Sequence, residues 1–346
     1  MNRMAMICAV LVVAVLVLGP VPSDAVTIPS LPGNVPNAAA VAKYMPKDAT
    51  AVLAFNVARL AEAGLIDKIE ELAGEDAFED LEELEIDLEK DISQVMVGVI
   101  VDPDEDEPEI YMAMAGDVLS EKKFLELYEE QEGEKPKAKT IAGKNVYDIE
   151  GEVDVCFLPG VMLFVPTEDS EADIAKMLAG EAGGFLANIE LVSLMKDVNT
   201  KASIWGIAAF SKKLREAMGE DAEDAPFDVS ALKTIAGSFD YADKVALDVE
   251  LAFANNDAPA ALVEMINTQV KGMAEQMAEM MPDLAKLMNA LNAKADGKTA
   301  TIQLAMDREA FEAAIESVFG MMFGGMVGAM EEGDWEEEEI EEEEEW

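Results

Sequence analysis

The sequence predicts an α+β protein built as two tandem related units, with antiparallel sheets and helices packed on one face. Three observations predict it. Strand-like runs come in pairs joined by hairpin signals, helices of 3.6-residue apolar period separate them, and the same order of features occurs twice. The chain is heavily acidic, with a formal net charge of −47, yet 51% of its 346 residues are hydrophobic. Disorder needs high charge together with low hydrophobicity, so this chain has the means to bury a core.

The first unit, residues 42–190, opens with the strand Thr50 to Phe55 and a helix whose Val57, Leu60, Ala61, Leu65, Ile69 and Leu72 share one face. The second unit, residues 200–320, opens with Ala202 to Ala208 and a helix from Ser211. Each opening helix closes on Gly-Glu-Asp-Ala, at Gly74–Ala77 and Gly219–Ala222, with glycine placed as a helix C-cap. An Asp-flanked turn follows, at Asp87 and Asp228, and leads into strands Val95 to Ile100 and Thr234 to Phe239. Partner strands Glu109 to Ala115 and Lys244 to Phe253 come next, then helices Glu121 to Glu130 and Ala258 to Met281. Both units continue through a Gly-Lys hairpin, Gly143-Lys144 and Gly297-Lys298. Both end in a helix stopped by glycine, at Gly180 and Gly320.

The opening Tyr44-Met45-Pro46-Lys47-Asp48-Ala49, and Leu84 to Ile92 running into a strand, resemble a broad group of uncharacterised secreted bacterial proteins of the planctomycete type. The resemblance covers most of Tyr44 to Gly320 and implies export and an α+β domain. It brings no catalytic residues.

The ends of the chain carry separate signals. Residues 1–25 read as a cleavable secretory leader: Arg3, the apolar run Met4 to Leu18, then Pro20, Pro22 and the small residues Ser23 and Ala25. The predicted location is therefore periplasmic or extracellular. Residues 26–41 form a Pro-rich linker. Residues 321–346 are a Gly/Met-rich segment followed by a tail with twelve acids between Glu331 and Trp346, whose self-repulsion predicts disorder. The apolar stretch Val318 to Met330 is too short to span a bilayer, so no stable membrane insertion is expected once the leader is removed.

Composition excludes much chemistry. There is no histidine, which removes Ser-His-Asp and Cys-His catalysis and imidazole metal ligation. The acidity excludes nucleic acid as a partner and points to a basic protein or envelope component. With Cys8 in the leader, Cys156 stands alone on an alternating strand and reads as a small buried hydrophobe. Asp102, Asp104 and Asp106 begin as a Ca²⁺ loop does, but Glu107 and Ala113 stand where such a loop needs Gly and Glu. They form the candidate metal site, with Ca²⁺ the only cofactor it would take; a solvated acidic hairpin loop is the favoured reading. Met273, Met277, Met280, Met281 and Met288 fall on one side of a helix, where methionine serves as core filling or an adaptable contact surface. Thioethers can also hold Cu(I), an option that the missing histidine weakens. No nucleophile elbow, phosphate loop or dinucleotide fingerprint occurs. The reading is an exported, non-enzymatic binding or structural protein. Its alternatives are a carrier of an apolar ligand in a Met-lined cavity and a carboxylate-based hydrolase.

Overall fold

The computed structural model describes residues 41–68, 88–105, 108–116, 120–167, 171–179, 184–222 and 225–317. The leader, nearly all of the linker, the first Gly-Glu-Asp-Ala, Asp87, Asp106, Gly180 and everything from Val318 onward lie outside the described residues.

In the first half, β1 (Ala51–Phe55), β2 (Gln94–Ile100) and β3 (Glu109–Ala115) form an antiparallel meander. Helices α1 (Val57–Glu62) and α2 (Leu88–Asp91) lie between its first two strands. Helix α3 (Glu121–Glu132) follows; the Ser120 side chain accepts from the Lys123 N–H at its start, and Gly133 closes it in the left-handed region. Two hairpins come next, β4 (Lys137–Ile141) with β5 (Lys144–Ile149), and β6 (Val153–Leu158) with β7 (Val161–Pro166). The β4–β5 turn has φ of 49° at Ala142 and 75° at Gly143, the paired left-handed residues of a type I′ turn. Strand β7 returns to pair with β3. Helices α4 (Glu171–Ala179) and α5 (Ile189–Leu194) lead to the second half.

There β8 (Ile204–Ala209), β9 (Leu232–Asp240) and β10 (Lys244–Phe253) form a second meander, with α6 (Lys212–Asp221) after β8. Helix α7 (Asp257–Met265), a π turn (Ile266–Val270) and α8 (Lys271–Met277) make one continuous helical run. The helix predicted to reach Met281 thus stops at Met277, because Pro282 cannot continue it and instead starts α9 (Pro282–Ala290). The hairpin of β11 (Asn292–Asp296) and β12 (Thr299–Asp307) follows, then a helix over 308–317.

The two predicted sheets are one. All twelve strands join in the order β11-β12-β10-β9-β8-β1-β2-β3-β7-β6-β5-β4. The junction is the antiparallel pair of β1 and β8, from Ala51↔Ala208 to Phe55↔Ile204. Both strands are apolar on both faces, Ala-Val-Leu-Ala-Phe against Ile-Trp-Gly-Ile-Ala-Ala, so neither is suited to stand as a free edge. Outward from this pair the halves differ in strand number, because the first carries an additional outer hairpin, β4–β5. The two Gly-Lys turns therefore do not occupy matching places. Gly143-Lys144 turns the outermost hairpin, whereas Gly297-Lys298 turns the one next to the meander.

The layers also differ from the one-face prediction. In the first half one sheet face, with Val52, Met96, Ala113 and Leu163, is covered by Ile174 of α4, Leu191 of α5, Phe185 and Val41. The other face, with Met114, Val155 and Met162, packs against Val57 of α1 and Phe124 of α3. Strands such as β3 and β7 are apolar on both faces and need a cover on each. Strand β10 alternates instead, and its Val245, Leu247, Val249, Leu251 and Phe253 meet Leu262 of α7, Leu287 of α9 and Phe311. Val41, assigned to the linker by sequence, is fully buried. Gly219 lies inside α6, whose C-cap is Ala222. Its role is close approach, since an added Cβ would lie 2.7 Å from Ser230 Cβ.

A polar clamp spans the two halves. Arg59 on α1 donates to Asp240 at the end of β9 through Nε and one terminal nitrogen, both at 2.6 Å. Ser203 Oγ donates to the same carboxylate at 3.1 Å and accepts from the Tyr241 N–H. Arg308 donates to the Ala63 carbonyl at 2.9 Å and stands over the Tyr241 ring, whose hydroxyl donates to Glu312. The sheet edges, β4 and β11, are short and carry lysines, a pattern that discourages pairing with other chains. One of these, Lys139, reaches the buried Asp154 at 2.6 Å.

Candidate functional site

The alternation of β10 that feeds the second core sends Asp248 and Glu250 to the opposite sheet face. The helices of the second half lie away from that face, because α7 and α9 pack with the Val245-to-Phe253 row. On the outer strands the face meets solvent, and Glu250, Lys294 and Ala305 are exposed there. Register places Gln303 opposite Asp248 and Thr301 opposite Glu250. Asp197, in the loop after α5, adds a third acid whose charge acts on Glu250.

These carboxylates are held uneasily. Burial pushes the Asp248 carboxyl above its ordinary range, and the Gln303 side chain offsets this only in part by hydrogen bonding. Partial desolvation raises the exposed Glu250 as well, reinforced by the charges of Asp197 and Asp248. A carboxyl raised on folding binds its proton more tightly in the native state, so stability falls as pH climbs from the unfolded value through the folded one. Asp248→Asn is therefore expected to raise the melting temperature at neutral pH, and the gain should vanish below about pH 4. A thermal melt series across pH checks this; a gain that persists in acid, or none at neutrality, would contradict it.

The predicted metal candidates sit elsewhere. Asp102 and Asp104 lie in the β2–β3 loop, where Lys213 of α6 places its ammonium against Asp104 and 3.6 Å from Asp102 Oδ1. The Asp104 N–H donates to Asp102 at 2.9 Å, and together with Lys213 this holds the Asp102 carboxyl below its usual range. The cation facing these two acids is thus supplied by the chain itself; Asp106 lies outside the described residues. Among the described residues no group of three His, Cys, Asp or Glu side chains converges as a metal would require. Cys156 is buried, and burial pushes its thiol up to about 11, which keeps it protonated and unreactive near neutrality. Met273 and Met280 are 53% and 77% exposed, so they line the surface of the α8–α9 hairpin and no enclosed cavity.

Among the described residues no helix is long and apolar enough to cross a membrane. No protein-family model matches the chain, and no curated protein sequence matches it. Among solved structures, crystal form III of the treponemal protein TP0453 superposes with a TM-score of 0.48 at 12% identity, covering 80% of this chain and 97% of that one. Crystal form I of the same protein gives 0.42 at 12% identity, covering 80% and 96%.

Proposed function

We propose that this is an exported, non-enzymatic binding protein that uses the acidic face of its second half-sheet to dock cationic side chains of a basic partner. The observation that carries the reading is Asp248 with Glu250: two carboxylates on the side of β10 turned away from α7 and α9, Asp248 half-buried with its carboxyl raised by that burial and Glu250 exposed beside it. Groups held against their own ionisation gain most when a lysine or arginine arrives, because a charge-assisted hydrogen bond then compensates the burial. The net charge of −47 supports the same partner class by drawing basic surfaces in at long range. Export is supported by the leader-like residues 1–25 and by the resemblance to secreted proteins.

The arrangement favours docking over hydrolysis. A glycoside-hydrolysing pair must flank the scissile bond from two sides. Asp248 and Glu250 lie two residues apart on one strand and one face, about 7 Å along it, and approach a ligand from the same side. The test is binding of a defined lysine-rich peptide to the full chain at physiological salt. Asp248→Asn combined with Glu250→Gln should weaken it about tenfold. Shifts in backbone NMR signals should fall on β10 and β12. Equal binding by both proteins, or shifts confined to residues 331–346, would overturn the reading.

A further inference from the structure

We propose that Met273, Met277 and Met280 form a surface site for a soft monovalent cation, Cu(I), at the C-terminal end of α8. The site is independent of the acidic face. The structure removes the core-filling account of two of these side chains: Met45 and Met96 are 1% and 0% exposed, whereas Met273 and Met280 are 53% and 77% exposed, with Met277 half-buried between them. An apolar side chain left in water adds little to packing, and here two stand about two helical turns apart on one face.

The backbone brings the three together. Met273 and Met277 are one helical turn apart, with Cβ atoms about 5–6 Å from each other. The helical bonding then runs on: the N–H groups of Met280 and Met281 both donate to the Met277 carbonyl, at 3.0 and 2.7 Å, which keeps Met280 at i, i+3 spacing on the face of Met277. Pro282 starts the next helix directly after this turn, so Met280 lies on the last helical turn before the chain changes direction at Met281. The electrostatics suit a cation. The helix terminus presents the negative end of its dipole, and α8 has no basic residue in its last turn to neutralise it. Glu275 and Glu279 are exposed on the opposite face of the same turns and add negative charge only at longer range.

The donor set decides which cation. Thioether sulfur is soft and uncharged, a match for Cu(I) and a poor one for Ca²⁺ or Mg²⁺, which need oxygen ligands. With no histidine in the chain and its one described cysteine buried, the site is built of thioethers alone.

The test titrates Cu(I) into the full chain under anaerobic, reducing conditions against a chromogenic Cu(I) chelator. The wild type is compared with Met273→Leu/Met277→Leu/Met280→Leu. Leucine keeps volume and apolarity, so the melting temperature should hold. The variant should lose about one equivalent of bound Cu(I). Met280→Leu alone, at the most exposed position, should weaken that equivalent about tenfold. In the wild type, Ag(I) should shift the ε-methyl NMR signals of these three methionines. Unchanged stoichiometry and affinity in the triple variant, or three unmoved methyl signals, would overturn the proposal.

Discussion

Replacing Trp205 with alanine is expected to cost about 4 kcal/mol and to lower the melting temperature by about 10 °C. The residue belongs to β8, the first strand of the second half, yet it is 1% exposed and packs in the core of the first, among Val52, Ala54 and Met96. It stands directly across from Ala54 on β1, and a residue as small as Ala54 cannot fill the space the indole leaves. Because the sheet and this core run through both halves, the wild type should melt in one transition. Calorimetry and urea unfolding followed by circular dichroism give both quantities. Trp205→Phe should recover most of the loss. A cost below about 1 kcal/mol would mean that the junction does not depend on this side chain.

The same junction marks the boundary of what the sequence discloses. Strands β3 and β10 match their predicted runs, Glu109 to Ala115 and Lys244 to Phe253, because alternation or a bounded apolar run is a local signal. The merging of two sheets is a choice of edge partner. Its trace lies in β1 and β8, which are apolar on both faces and so suited to the interior of a sheet. The extra hairpin β4–β5 misled the pairing of Gly-Lys turns because two identical dipeptides suit equivalent turns at different sheet positions. Gly219 was misread for a related reason: glycine caps helices, but it also permits close approach, and Ser230 comes from a separate turn.

The candidate site was harder to read than the fold. Asp248 and Glu250 are two acids among 72, and their raised carboxyls result from desolvation and, for Glu250, from the neighbouring charges of Asp197 and Asp248, which sequence does not display. The available hint was acids at alternate places of an otherwise apolar run, Leu-Asp-Val-Glu-Leu. Asp102 and Asp104 drew attention because their spacing is local, whereas the Lys213 that meets them comes from α6, more than a hundred residues away. The methionines show the reverse case. Their helical spacing was legible and places Met273, Met277 and Met280 on one face; their exposure was not, because it depends on where the α8–α9 hairpin leaves that face.

Removing either side of the Arg59–Asp240 clamp should be the other severe lesion, at about 2–3 kcal/mol for Arg59→Ala. The two side chains are 23% and 13% exposed, so the pair is largely shielded from the screening that makes surface ion pairs weak. Without Arg59, the Asp240 carboxylate keeps, among the described residues, the Ser203 hydroxyl as its side-chain donor and stays mostly out of water. Arg59→Lys should recover less than half of the loss, because an ammonium cannot make the two parallel hydrogen bonds of the guanidinium. The clamp joins α1 of the first half to the end of β9 in the second, so its loss should loosen the halves against each other more than either alone. In hydrogen exchange, Arg59→Ala should speed amides of β1 and β8 before those of β6 or β12. A double-mutant cycle with Asp240→Ala should return a coupling energy of about 2 kcal/mol. A coupling below about 0.5 kcal/mol would reduce the clamp to a surface contact, and β1–β8 pairing with the shared core would then hold the halves together unaided.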